Sequence, residues 1–172
     1  MDLKDIVQNK RFSTRRFLKH EPLNPAEVRD VLNNALLAPS TGNLQPFRSY
    51  VVNDPKVIQT IAKRATNQSW VGDAAVIFVI CHVPQESEKS FGDSGYQYSI
   101  QDSAIFCTYL DLFCQTYGWG TCWVGKLNID ELKKIVEIPI GIIPLNLLVV
   151  GKPYPDSPKT RWPRKTIEQI TS

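Results

Sequence analysis

Ala74-Ala75-Val76-Ile77-Phe78-Val79-Ile80-Cys81-His82-Val83 is almost continuously apolar and rich in β-branched residues. A strand with one wet face would alternate, so this run predicts a strand buried on both faces. Such a strand needs a layer above and a layer below it. Leu145 to Val150 reads as a second strong strand, closed by Gly151-Lys152-Pro153, and Ser49–Asn53 and Thr121–Val124 as shorter ones. Helical patterns lie between them. Asn24-Pro25-Ala26-Glu27 is a helix start, with Asn24 as cap and Pro25 in the first turn, and Val28, Val31, Leu32, Ala35 and Leu36 recur at helical spacing until Pro39. Asp54-Pro55 opens another helix through Ala65, Asp130–Val136 forms a further one before Pro139, and Asp2–Gln8 a short one at the start.

Tyr96 to Tyr117 is helical in pattern but apolar nearly all round, through Ile100, Ala104, Ile105, Phe106, Leu110, Leu112 and Phe113, and Gly118 stops it. A helix of this kind must be covered on several sides, one of which a second subunit can supply. The alternation of helices and strands predicts an α+β or α/β layered fold, with strand order left open.

A chain of 172 residues with 42% apolar and 22% charged content is expected to form one domain spanning 1–172. Its net charge of +3 is too small to argue for nucleic acid. No stretch has the length of a membrane span, and the first residues lack the pattern of a signal sequence, so a cytoplasmic location is expected. Cys81, Cys107, Cys114 and Cys122 form no CxxC pair and lie in apolar runs, where cysteine acts as a small hydrophobe. With only His20 and His82 to add, neither a disulfide nor a metal site is expected.

Motifs for self-contained catalysis are missing. No GxxxxGK[ST] loop, strand-linked GxGxxG or GxSxG elbow occurs, and Gly118-Trp119-Gly120 is only a fragment of a dinucleotide pattern. What stands out is cationic. Arg11, Ser13 and Arg15 alternate, so an extended segment points them to one side. Lys159 and Arg161 form a second basic pair near the end of the chain. Such groups can converge on one anion, most simply a phosphate, which implies a bound cofactor that carries the reaction.

Together with Pro39-Ser40-Thr41-Gly42-Asn43-Leu44-Gln45-Pro46-Phe47, these residues resemble the nitroreductase family of FMN-dependent oxidoreductases over nearly the whole chain. The resemblance implies a three-layer α/β/α sandwich around a mostly antiparallel sheet, paired as a homodimer with FMN at the subunit interface. By the same resemblance Arg11, Ser13, Lys159 and Arg161 hold the phosphate and ribityl region, and Arg15 the flavin pyrimidine edge. Ser40, Thr41 and Asn43 reach the partner's flavin. Asn67 or Gln68 meets the N3 and O4 edge, and Gly125 or Lys126 offers a backbone amide near N5. Phe47 stands where relatives often carry Trp.

The implied activity is hydride transfer from NADH or NADPH through FMN to an electron-poor small molecule, a nitroaromatic or quinone, by a ping-pong exchange. No side chain is expected as an essential acid or base. The 2′-phosphate of NADPH would need its own cation, for which Lys63, Arg64 and Lys126 are candidates. A flavin-storage protein of the same fold is the alternative, because every matched residue concerns FMN. A nucleic-acid surface is the lesser one.

Overall fold

The structure is a computed structural model that describes residues 2–19 and 21–171. Met1, His20 and Ser172 lie outside the described residues, so the expectation that His20 takes no part in a metal site falls outside them. The helix at the start is shorter than expected: α1 (Leu3–Asp5) passes into a π-helical turn, Ile6–Lys10. Next come α2 (Pro25–Ala35), β1 (Phe47–Val52), α3 (Pro55–Thr60) with a π-helical continuation at Ile61–Thr66, and β2 (Val76–His82). They are followed by α4 (Pro84–Phe91), α5 (Ser94–Thr116), β3 (Gly120–Val124), α6 (Ile129–Val136) and β4 (Ile143–Gly151). The caps are those the residue types favour. Asn24 accepts from the Ala26 amide at 2.9 Å, and Asp54 from the Lys56 amide at 2.7 Å.

The four strands form one sheet in the order β1-β2-β4-β3, and every pair is antiparallel. β2 is central and fully buried, as its composition requires. Its register, with Phe78 opposite Val51 on one side and Leu148 on the other, sends alternate side chains to opposite layers. Ile77, Val79 and Cys81 join Leu147 and Val149 against Ile58, Ile61, Ala65 and Leu132 from α3, its continuation and α6. Val76, Phe78 and Ile80 join Leu148 and Val150 against Val31, Ala35, Phe106 and Leu110 from α2 and α5. This is a three-layer α/β/α sandwich.

Sequence periodicity missed α4. Only Pro84 and Ser87 of this polar helix are buried, so it carries no apolar stripe to read. It is joined to α5 by close backbone approach instead. A Cβ added at Gly95 would lie 2.4 Å from the Glu88 amide nitrogen.

Candidate functional site

The Arg11 to Phe17 segment leaves the π-helical turn and runs extended along the ends of β3 and β4. The Thr14 amide donates to the Thr121 carbonyl at 2.7 Å, Ser13 bridges Thr121, and Phe17 bridges Pro153. Two anchors of opposite kind set its orientation. Thr14 and Phe17 turn inward and are buried, while Ser13, Arg15 and Arg16 remain exposed. Gly120 permits this docking, because a Cβ there would sit 2.7 Å from Thr14 Cγ2.

The C-terminal tail comes back over the same segment. The Tyr154 amide and the Ser157 hydroxyl both donate to the Arg16 carbonyl, at 3.0 and 2.7 Å. Arg161 Nη2 donates to the Val7 and Gln8 carbonyls at 3.0 and 2.8 Å, and its guanidinium lies 5.1 Å from the Phe12 ring centroid. The two chain ends, about 150 residues apart, thus meet through backbone carbonyls and an aromatic ring.

Between them lies a cavity of about 390 Å³ lined by Arg11, Ser13, Arg15, Arg16, Thr160, Arg161, Trp162 and Arg164. Five arginines line it, with the hydroxyl residues Ser13, Ser157 and Thr160, and among the described residues no acidic one does. Such a cavity suits a compact oxyanion that accepts forked hydrogen bonds. Lys159 lines the adjoining cavity with Phe12 and Thr14, so it lies beside the arginine cluster rather than in it. Arg16 and Arg164 were missed by the sequence reading. Arg16 breaks the alternation that singled out its neighbours, and Arg164 is brought in only by the course of the tail.

Arg15 extends toward a second set of residues. Its guanidinium lies 5.9 Å from the Trp70 ring centroid, and Trp70 Nε1 donates to Gln68 Oε1 at 3.1 Å. Gln68 is therefore linked to the arginine side of the site. Asn67 instead ends the preceding helix in a left-handed conformation, φ 52°. Burial pushes the Cys122 thiol up, partly opposed by Arg15 beside it. Cys81 and Cys107 are pushed up to about 12 by burial. All four cysteines are free and buried.

The remaining expected residues stand apart from the basic cavity. The Thr41 amide donates to both oxygens of Asp102 at 3.0 Å, and Thr41 Oγ1 to Oδ1 at 3.1 Å. Ser40 Oγ accepts from the Gln45 amide at 3.0 Å, and Asn43 Oδ1 from Gln45 Nε2 at 3.2 Å. Gly42, Asn43 and Gln45 all take positive φ, which turns the loop sharply. Gly125 and Lys126 are exposed just after β3. Within one chain neither group lines the arginine-rich cavity. Among the described residues, no cluster of His, Cys, Asp or Glu could hold a metal ion, and no helix is long and apolar enough to cross a membrane.

Comparison with known proteins agrees with this architecture. A Thermus thermophilus protein described as NADH dehydrogenase is 26% identical over 187 aligned positions, covering 92% of this chain and 91% of the relative. A crystal structure of a nitroreductase family protein from Clostridium difficile superposes with a TM-score of 0.82 at 27% identity, covering 100% of this chain and 98% of that one. Another, from Streptococcus pneumoniae, gives 0.83 at 20% identity with 99% of both chains covered, a likeness of fold. The family model described as Nitroreductase family matches residues 9–68 and 61–152, most of the sandwich and the whole Arg11–Phe17 segment. This chain belongs to the nitroreductase family.

Proposed function

We propose that the protein is an FMN-dependent oxidoreductase that passes hydride from NADH or NADPH to an electron-poor small molecule, such as a nitroaromatic or quinone, with reductant and acceptor using the site in turn. The observation that carries this reading is the cavity of five arginines and Ser13 at the meeting of the two chain ends. Its cationic lining suits the terminal phosphate of FMN, and the run from Arg15 through Trp70 to Gln68 gives charged, aromatic and amide groups to an extended ring system beside it. The names of relatives add support for the reductant. Besides the Thermus thermophilus protein, a Staphylococcus aureus protein that matches 98% of this chain at 21% identity is described as an NADPH-dependent oxidoreductase.

FMN, when bound, supplies the two-electron chemistry. The chain's own groups do the rest. Arg11 and Arg161 grip the phosphate, with Ser13 as a neutral donor. Arg15 favours the negative charge that reduction places at the pyrimidine edge, which raises the potential of the bound cofactor. The glycine at 125 lets the backbone come close, so the Gly125 or Lys126 amide can orient the reacting ring.

A second copy of the chain completes the site in this reading. Leu3, Ile6, Tyr109, Leu112 and Phe113 surround an apolar hollow beside α5, and Ile105 of that helix is also exposed. The Ser40–Asn43 loop stands away from its own chain's basic cavity, as a loop serving a neighbour would.

Anaerobic stopped-flow absorbance tests the proposal. Purified protein loaded with FMN is expected to bleach on mixing with NADH or NADPH and to recolour with a nitroaromatic or quinone. A protein that stays colourless after incubation with FMN refutes the cofactor assignment. One that binds FMN but stays yellow with both reductants is a storage protein instead.

A further inference from the structure

Among the described residues no acidic one lines the five-arginine cavity, yet a carboxylate lies behind the strand that carries the Arg11 segment. Asp111 of α5 points to the start of β3. Its Oδ1 accepts from the Thr121 hydroxyl and, at 3.2 Å, from Gln115 Nε2, which also donates to Thr121 Oγ1 at 2.8 Å. These three side chains close a ring of hydrogen bonds. Thr121 is also the residue on which the anion-binding segment rests, because its carbonyl takes the Thr14 amide and its backbone bridges Ser13. A short path therefore runs from Asp111 through Thr121 to Ser13 and Thr14, with Arg11 and Arg15 on either side.

We infer that Asp111 is a positioning residue for the anion site: through Thr121 it fixes the placement of the Arg11–Arg15 segment on β3, and its charge attracts the Arg11 guanidinium, which keeps the base of that arginine's side chain against the strand. Burial raises the Asp111 carboxyl above its ordinary value, while the Thr121 hydroxyl, Arg11 and Gln115 each oppose that rise and favour the charged form. Both side-chain bonds end on the same oxygen, so Asp111→Asn can keep them while removing the charge. Thr121→Val does the converse, keeping the charge and the Thr121 carbonyl but removing the hydroxyl that ties them.

The inference rests on the FMN reading above, and the test separates the two. Flavin-depleted full-length protein is titrated with FMN and with riboflavin, which lacks the phosphate, following quenching of flavin fluorescence. For the wild type, FMN is expected to bind more tightly than riboflavin. In Asp111→Asn and in Thr121→Val that preference is expected to fall about tenfold, the low end for one charge-assisted contact, with riboflavin affinity unchanged. An unchanged or increased preference overturns the role of Asp111, and so does an equal weakening of both flavins, which marks a merely structural residue. A wild type that binds neither flavin refutes the FMN reading itself, and this role for Asp111 with it. If Asp111→Asn fails to fold, the near-isosteric Thr121→Val decides alone.

Discussion

Replacing Asp102 by alanine tests how the loop at Ser40–Asn43 is held. Asp102 is almost fully buried, and its two oxygens take the Thr41 amide and hydroxyl across 61 residues of sequence. Hydrogen bonds to a charged acceptor contribute about 1.5–3 kcal/mol each, and the alanine loses two donors' worth. Two effects reduce the total. Removing the carboxylate also removes its desolvation cost, and Thr41, being half-buried, can bond to water once the loop lifts. The expected loss is therefore about 2–3 kcal/mol, or a drop in Tm of about 4–12 °C for a chain of this size. Asp102→Asn keeps one acceptor oxygen but turns an amide toward the Thr41 donors, and should lie between wild type and alanine. Urea unfolding followed by circular dichroism gives the stability, and limited proteolysis between α2 and β1 reports local release. A loss below about 0.5 kcal/mol with the loop still protected would refute the reasoning, since the buried carboxylate would then not be holding Thr41.

Gly95→Ala should destabilise by about 3 kcal/mol, the upper part of the overpacking range, because its new Cβ meets the Ser87–Glu88 backbone rather than a movable side chain; thermal unfolding checks this. His82 gives a pH dependence. Its Nδ1 lies 2.9 Å from Ser99 Oγ, whose own proton goes to the Tyr96 carbonyl, so His82 donates there as a neutral ring, and burial lowers its pKa below 6.5. The unfolded chain then takes up a proton that the native one refuses. Stability should fall as pH drops below about 6.5, by at most about 1.4 kcal/mol per pH unit, and level off below the native pKa. Urea midpoints from pH 8 to pH 5 measure this, and His82→Gln should remove that component; an unchanged slope in the variant would assign the pH dependence elsewhere.

Much of the layered core was legible because burial leaves a compositional trace. The run from Val76 to His82 is apolar on both faces since α2 and α5 cover one and α3 and α6 the other, and that requirement holds whether the neighbouring strands are parallel or antiparallel. The caps at Asn24 and Asp54 were equally visible, being local hydrogen bonds. The α4 helix was not, since Gly95 lets its backbone approach α5 without an apolar stripe.

The cationic site divides in the same way. Charge and alternation singled out Arg11, Ser13 and Arg15, and the family resemblance pointed to Arg161. The same resemblance placed Lys159 with them, whereas the course of the tail puts it in the next cavity and brings Arg16 and Arg164 to the first. Local composition thus determined most of the strands and helices, and marked the cations near both chain ends, because periodicity and charge are properties of neighbours along the chain. Tertiary structure alone decided the strand order, the arginines that share one cavity, and the Asp111–Thr121 support behind them, because these depend on contacts between residues distant in sequence, whose relative placement no local pattern records.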